Sequence, residues 1–293
     1  MPVSVLDFTK CEVDPTRIYG GRNGNKIGII YQGVTWMLKF PVISKLNPYM
    51  HYSNSNISEY LGCHIVNILG LEAQETLLAY YGNQEVVACK DFEQNDKVFK
   101  EFAFLKNSIV DSSQSGYGTE LSDILTSIDE QELINPERLR KFFWHLFIID
   151  TYIGNFDRHN ANWGFLINQR TRQVEIAPVF DCGSSLYPQT DEKSMAEFLK
   201  DSSLRDKRIY KYPNSAIKID DVKINYLTFL SNTKNQDCIR ALETIYERIN
   251  QKESLINHLI DKTPLMTETH KSFIQVMLKE RKEKILEKAL SYH

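Results

Sequence analysis

The stretch FIIDTYIGNFDRHNANWGFL, residues 147–166, decides how the rest of the chain is read. It runs apolar and helix-like to Gly154, then places Asn155, Asp157, Arg158, His159, Asn160 and Asn162 in quick succession. It turns apolar again at Trp163, Phe165 and Leu166. Upstream, Asn135 offers a cap and Pro136 a first helical residue, so INPERLRKFFWHLFIIDTYIG reads as one long helix. Downstream, WGFLI, the turn NQRT and QVEIAPVF read as a hairpin leading to VFDCG. A burst of hydrogen-bonding groups between a core helix and a core hairpin needs a chemical reason.

Working outward, the first third reads as strands with one helix. RIYG and KIGIIYQG flank GRNGN, a tight turn, and VTWMLKF is a third strand ended by Pro41. In SNSNISEYLGCHIVNILG the residues Ile57, Tyr60, Leu61, Ile65, Ile68 and Leu69 recur with a helical period. Ser55 or Asn56 is the expected cap and Gly70 the stop. TLLAYY, the turn at Gly82-Asn83 and VVACKDF read as a hairpin. In the last third two long helices follow a polar region, 184–235, that reads as mainly loop. The expected fold is α+β and two-lobed: residues 1–91 form a strand-rich lobe with one helix, and residues 92–293 a mainly helical lobe.

Moving a phosphoryl group requires backbone donors and a lysine on the phosphates, oxygen ligands for Mg²⁺, and a carboxylate facing the attacking hydroxyl. Asp157 and Asn162 have the Asp, four residues, Asn spacing of a protein-kinase catalytic loop, and Asp181-Cys182-Gly183 is a D-x-G. A hairpin between them returns both side chains to one end, where Asn162 and Asp181 offer the oxygen that a hard cation takes. In the first lobe, Gly20, Gly21, Asn23, Gly24 and Lys26 form the candidate phosphate turn. Lys39, isolated in an apolar strand, has Glu59 in the first turn of the next helix as its expected partner. Lys90, Asp91 and Phe92 sit where a hinge would bond adenine through the backbone near Cys89 to Asp91. His159 joins the catalytic set as a group that orients the loop. Each motif alone is commoner as a turn, a snorkelling lysine or a dipole-stabilised helix end. Their order along the chain, each on the right kind of element, points to an ATP- and Mg²⁺-dependent phosphotransferase.

Composition narrows the partners. Among 293 residues 42% are apolar and 25% charged, and the net charge is -3, which argues against a general nucleic-acid binder. Five scattered cysteines without a C-x-x-C pair fit a reducing compartment and supply no zinc site. The start of the chain lacks the pattern of a signal peptide, and no apolar run is long enough to span a membrane, so a cytoplasmic site of synthesis is expected.

With NFDRHNAN, VFDCG, the lysine of LKFP and the glutamate of SEY in place, the chain resembles the HipA-like serine/threonine kinases of bacteria. Within them it is similar to a cell-translocating, proinflammatory group. The resemblance implies Mg-ATP-dependent phosphorylation of protein Ser/Thr, with autophosphorylation. It also implies Asp157 as catalytic carboxylate, Asn162 and Asp181 as metal ligands, Lys39 on the phosphates, and export into host cells. HipA toxins carry an extra N-terminal subdomain that helps dock an antitoxin, and a serine in the glycine-rich loop that they autophosphorylate. This chain starts almost at the loop, and YGGRNGNK has no Ser or Thr, so neither feature is expected. Ser184, Ser185, Ser194, Ser202 and Ser203 follow the D-x-G as other acceptors. The D-R-H-x-x-N loop also occurs in phosphoinositide-type kinases. The mixed charge after the D-x-G favours a protein substrate over a lipid, and the presence of Lys39, Asp157 and Asp181 weighs against a pseudokinase.

Overall fold

The structure, a computed structural model, describes residues 5–19, 26–41, 53–110 and 113–293. Gly20, Gly21, Asn23 and Gly24 of the expected phosphate turn lie outside the described residues. Six strands form the first sheet: β1 (Leu6–Asp7), β2 (Glu12–Val13), β3 (Lys26–Tyr31), β4 (Val34–Lys39), β5 (Thr76–Tyr81) and β6 (Gln84–Lys90). Their spatial order is β1-β5-β6-β4-β3-β2, antiparallel except for the β1–β5 pair. Among the described residues one helix, α1 (Ser55–Ile68), lies between β4 and β5.

One expected strand is absent. Residues 17–19 are not in a strand, and β3 pairs instead with β2. Asp14-Pro15-Thr16 explains it. The Asp14 carboxylate accepts from the Thr16 N–H at 3.0 Å and from its hydroxyl at 2.6 Å, a turn that ends the strand early. The chain then crosses Gly28, where a Cβ would stand 2.9 Å from that of Arg17.

Strand alternation sorts the sheet's side chains. Trp36 and Leu38 of β4 join Phe8, Ile29, Val86 and Ala88 in an outer core. Met37 therefore faces the larger core under α1, and Lys39 points to the same side. On β6, Val87 and Cys89 face that side too. This larger core runs without a break from α1 into the helical half.

In that half, β7 (Lys97–Glu101) leads directly into α2 (Phe102–Ile109), followed by α3 (Leu121–Glu130) and α4 (Pro136–Ile153). Strands β8 (Gly164–Asn168) and β9 (Val174–Ile176) form the expected hairpin, and β7 adds to it in the order β7-β8-β9. The α4 boundaries follow the sequence: the Asn135 side chain accepts from the Arg138 N–H at 3.0 Å, and Gly154 ends the helix at φ 68°.

Region 184–235, read as loop, contains three helices: α5 (Glu192–Lys200), α6 (Ser202–Tyr210) and α7 (Tyr226–Asn232). Asp191, Asp201 and Asn225 cap them with their side chains. Each of the first two buries a single residue, Met195 and Ile209, so no apolar period announces them. The long α8 (Gln236–Lys262) and α9 (Glu268–Arg281) close the fold, and α9 continues as a π-helix over Lys282–Glu287. Among the described residues no helix is long and apolar enough to cross a membrane.

Two buried histidines make stability pH-dependent. Burial pushes His145 and His270 each down to about 4. An unfolded histidine titrates at about 6.5, so below that value the unfolded chain takes up protons that the folded one refuses. Their stabilising contribution is complete above pH ~6.5 and is lost as pH falls through ~4. Thermal melts should therefore show a falling midpoint across that window, with a shallower fall in His145→Gln. An unchanged slope in that variant would contradict the assignment.

Candidate active site

The site is built where α1, the sheet and the loop after α4 converge. Lys39 Nζ lies 3.1 Å from Glu59 Oε1 and 3.1 Å from Asp181 Oδ1, closing the partnership expected from sequence. Glu59 sits in the second turn of α1, one turn further in than expected, and is buried. The expected caps of α1 are corrected as well. Asn54 holds the cap position without a side-chain cap bond, and its amide donates instead to the Thr190 carbonyl at 2.9 Å. The start of α1 is thereby tied to the segment after the D-x-G.

Burial alone would push the Lys39 ammonium down, but the carboxylates of Asp181 and Glu59 outweigh it and hold it well above its ordinary value. Reciprocally, Lys39 holds Asp181 down to about 2. Lys26 pairs with Lys39 across β3 and β4 and brings a second ammonium near Asp181 and Glu59. Asp181 has φ 56°, a left-handed conformation that is uncommon for a residue with a Cβ, and its backbone N–H donates to Glu59 Oε1 at 3.0 Å. Its side chain remains 41% exposed, so the carboxylate is available to a ligand.

Of the catalytic-loop candidates, Asp157 lies within electrostatic reach of Asp181. Asp157 is raised by burial, with nearby His159 opposing the shift. Nε2 of His159 is 4.0 Å from Asp157 Oδ1, and its Nδ1 accepts the Ala161 N–H at 3.2 Å, a loop-orienting position. Asn162 Nδ2 donates to the Asp157 carbonyl at 2.8 Å, which turns its Oδ1 away from that carbonyl. Among the described residues no group of three or more His, Cys, Asp or Glu side chains could by itself hold a metal. A mixed set of one carboxylate and one amide oxygen, completed by phosphate oxygens, is a different kind of site and suits a hard cation.

What fixes the loop was not read from sequence. Arg158 is buried and donates to Asp150 at 3.0 Å, to the Asn162 carbonyl at 2.9 Å, and to the Phe180 carbonyl. One guanidinium therefore joins α4, the loop and the segment that enters the D-x-G. Asn155 adds a bond to Asp150 at 3.0 Å and receives the Asp157 N–H at 3.1 Å. The signal was present in FIIDTYI, where Asp150 stands alone in an apolar helix and must have a buried partner. Arg281, also buried, donates through Nε to the Thr151 carbonyl at 2.8 Å and has no carboxylate partner among the described residues. It caps the end of α4 from α9.

The hinge candidates are arranged differently from expectation. The Lys90 side chain pairs with Glu75 at 2.7 Å, and its carbonyl accepts from Gln74 at 2.8 Å. The Asp91 N–H goes to the Thr35 carbonyl at 3.0 Å, and its own carbonyl accepts from the Gln94 amide. These main-chain groups are already engaged, whereas the Phe92 main chain takes no partner among the described residues. The Phe92 ring packs against Phe180 and Phe99 at 5.4 and 5.5 Å between centroids. Before the glycine-rich segment, Arg17 bonds the Glu93 carbonyl at 2.8 Å and Tyr19 bonds Asp91 at 3.0 Å. Of the candidate acceptors after the D-x-G, Ser185 is buried with its hydroxyl on the Cys182 carbonyl, while Ser202 and Ser203 are exposed.

Comparison with known proteins places the chain in a family. The family model for the HipA-like C-terminal domain matches residues 19–253, and the chain belongs to the HipA-like family. It is 48% identical over 285 residues to the serine/threonine-protein kinase CtkA of Helicobacter pylori, covering 97% of this chain and 87% of that protein. The crystal structure of a Helicobacter pylori proinflammatory kinase CtkA superposes with a TM-score of 0.92 at 47% identity, over 98% of this chain and 97% of that one. HipA from the Shewanella oneidensis toxin–antitoxin system, in complex with HipB and operator DNA, matches at a TM-score of 0.56 and 15% identity. That match covers 99% of this chain and 75% of HipA. The fold is thus the kinase-like fold expected from sequence.

Two substitutions test the framework. A Cβ at Gly62 would stand 2.5 Å from that of Cys182, so Gly62→Ala should destabilise by about 1–3 kcal/mol through overpacking of α1 on the D-x-G. Arg158→Leu strands Asp150 in the interior and should cost about 3–5 kcal/mol. Both are read by chemical denaturation, and a near-neutral result for either would contradict the contact it removes.

Proposed function

We propose that the chain is a Mg-ATP-dependent serine/threonine protein kinase that also phosphorylates itself. The observation that carries this reading is Lys39 shared between buried Glu59 and half-exposed Asp181. One ammonium held by two carboxylates in a cleft is poised to receive phosphate oxygens. The nucleotide would lie between the strand-rich part of the chain, through residue 91, and the helical part that follows.

Mg-ATP supplies the phosphoryl group and a cation that offsets its charge. Lys39, held by Glu59, would bind phosphate oxygens, with Lys26 as a second ammonium and the turn at Gly20, Gly21, Asn23 and Gly24 offering backbone donors. Asn162 and Asp181 would be the metal ligands. The charges fit: Asp157, Asp181 and Glu59 exceed Lys26 and Lys39 by one carboxylate. Asp157 would accept the proton of the Ser/Thr hydroxyl, and its burial-raised affinity for protons makes it a better base than an exposed aspartate. Phe92, with Phe99 and Phe180, offers an apolar wall for adenine beside the end of β6. Lys90 and Asp91 would shape that edge rather than supply its free backbone groups. Action in host cells is supported by the proinflammatory description of the Helicobacter relative, and a protein substrate by its description as a serine/threonine-protein kinase.

Incubation with γ-labelled ATP and Mg²⁺, alone and with a generic basic protein substrate, should label Ser or Thr. Ser202 and Ser203 are the accessible candidates in the chain itself. Asp157→Asn and Asp181→Ala should each lower transfer by at least about a hundredfold while retaining the fold. Lys39→Met should weaken ATP turnover. Undiminished transfer in Asp181→Ala would remove it from the metal site, and label appearing only on phosphoinositide would overturn the protein substrate.

A further inference from the structure

A groove of about 410 Å³ runs between α2 and the end of α3, away from the cleft. Its apolar lining includes Phe104, Ile109, Leu133 and Ile167. Phe104 is 61% and Leu133 46% exposed, large for two bulky apolar side chains on the same depression. Single exposed apolar residues are ordinary, whereas a concave cluster marks a contact surface.

The rim is acidic. Glu101, Glu130 and Glu132 line the groove against one basic residue, Lys100, whose ammonium rests 5.7 Å from the centre of the Phe104 ring. Glu101 carries a second signal. The Tyr117 phenol lies beside its carboxylate, yet Oε2 is shielded from solvent and has no hydrogen-bond partner among the described residues. A buried carboxylate oxygen without a donor is costly, and a cationic or N–H group entering the groove would relieve it.

We infer that this groove docks a short segment of another protein that presents bulky apolar side chains beside lysine or arginine. Its volume is in the range of sites that take a few large side chains. The charge excess selects basic partners and disfavours acidic ones. The position connects to the loop described above, because the other side of α2 rests on it. The Ala103 N–H donates to the Asn160 carbonyl at 3.0 Å, and Phe102 stacks on Trp163 with centroids 3.9 Å apart. A docked segment would thus sit one helix away from the catalytic loop.

The test reads binding without nucleotide, so it stands apart from phosphoryl transfer. The immobilised full chain is exposed to a pool of short peptides that place two leucines or phenylalanines next to basic residues at varied spacing. A matched pool carries glutamate in place of the basic residues. The wild type should retain the basic pool selectively, and less of it as salt rises. Leu133→Glu should lower retention by about tenfold or more, and Glu130→Gln with Glu132→Gln should reduce the preference for the basic pool. All three are exposed positions, and basal autophosphorylation and melting temperature should not change. Failure of the wild type to retain either pool, equal retention of both, or retention unaffected by Leu133→Glu would overturn the inference.

Discussion

The Arg158–Asp150 pair is the interaction on which the site's geometry depends. A buried ion pair contributes little net stability compared with apolar packing, because both charges lose their water. What it supplies is position. The fork of the guanidinium lets one side chain hold a helix, a loop and the segment before the D-x-G at fixed directions. Burial works against the Arg158 charge, but Asp150 outweighs it and keeps the guanidinium's proton affinity above its ordinary value. Burial in turn raises the Asp150 carboxyl, against the pull of the Arg158 charge and of the bonds from Arg158 and Asn155. Lysine could not replace Arg158, since a single ammonium lacks the planar set of donors.

The cluster around Lys39 is arranged by different means. Strand alternation aims the lysine, helix α1 presents Glu59, and close contact at Gly62 lets the D-x-G lie against that helix. Asp181 is then held in a left-handed conformation by its bonds to Glu59 and Lys39. Strain at such a residue persists only where its surroundings over-determine it. Here two elements far apart in sequence do so, which couples the placement of α1 directly to the orientation of the carboxylate.

Much of this was legible in the sequence. Asn135-Pro136 and Gly154 marked α4 because cap chemistry is local, and the turns at Gly82 and at residues 168–171 marked their hairpins. The Lys39–Glu59 pairing was legible because an unpaired cation among apolar neighbours demands a carboxylate. The misses share a cause, which is that their determinants are non-local. Strand β7 has no alternating pattern of its own and exists because it pairs with β8. Helices α5 and α6 bury one residue each, so their caps rather than their periodicity carried the information. Engagement of the Lys90 and Asp91 backbone depends mainly on Thr35, Gln74 and Glu75, none of which a local reading could place there.

Arg281 gives the architecture a temporal order. It reaches α4 across 130 positions of sequence to hold the Thr151 carbonyl, just before the loop that carries Asp157. During synthesis the catalytic loop emerges long before α9 does, so the nascent chain has its chemical groups while the end of α4 is still uncapped. A chain that stops short of α9 would carry every residue of the candidate site but leave the Thr151 carbonyl without the guanidinium that holds it.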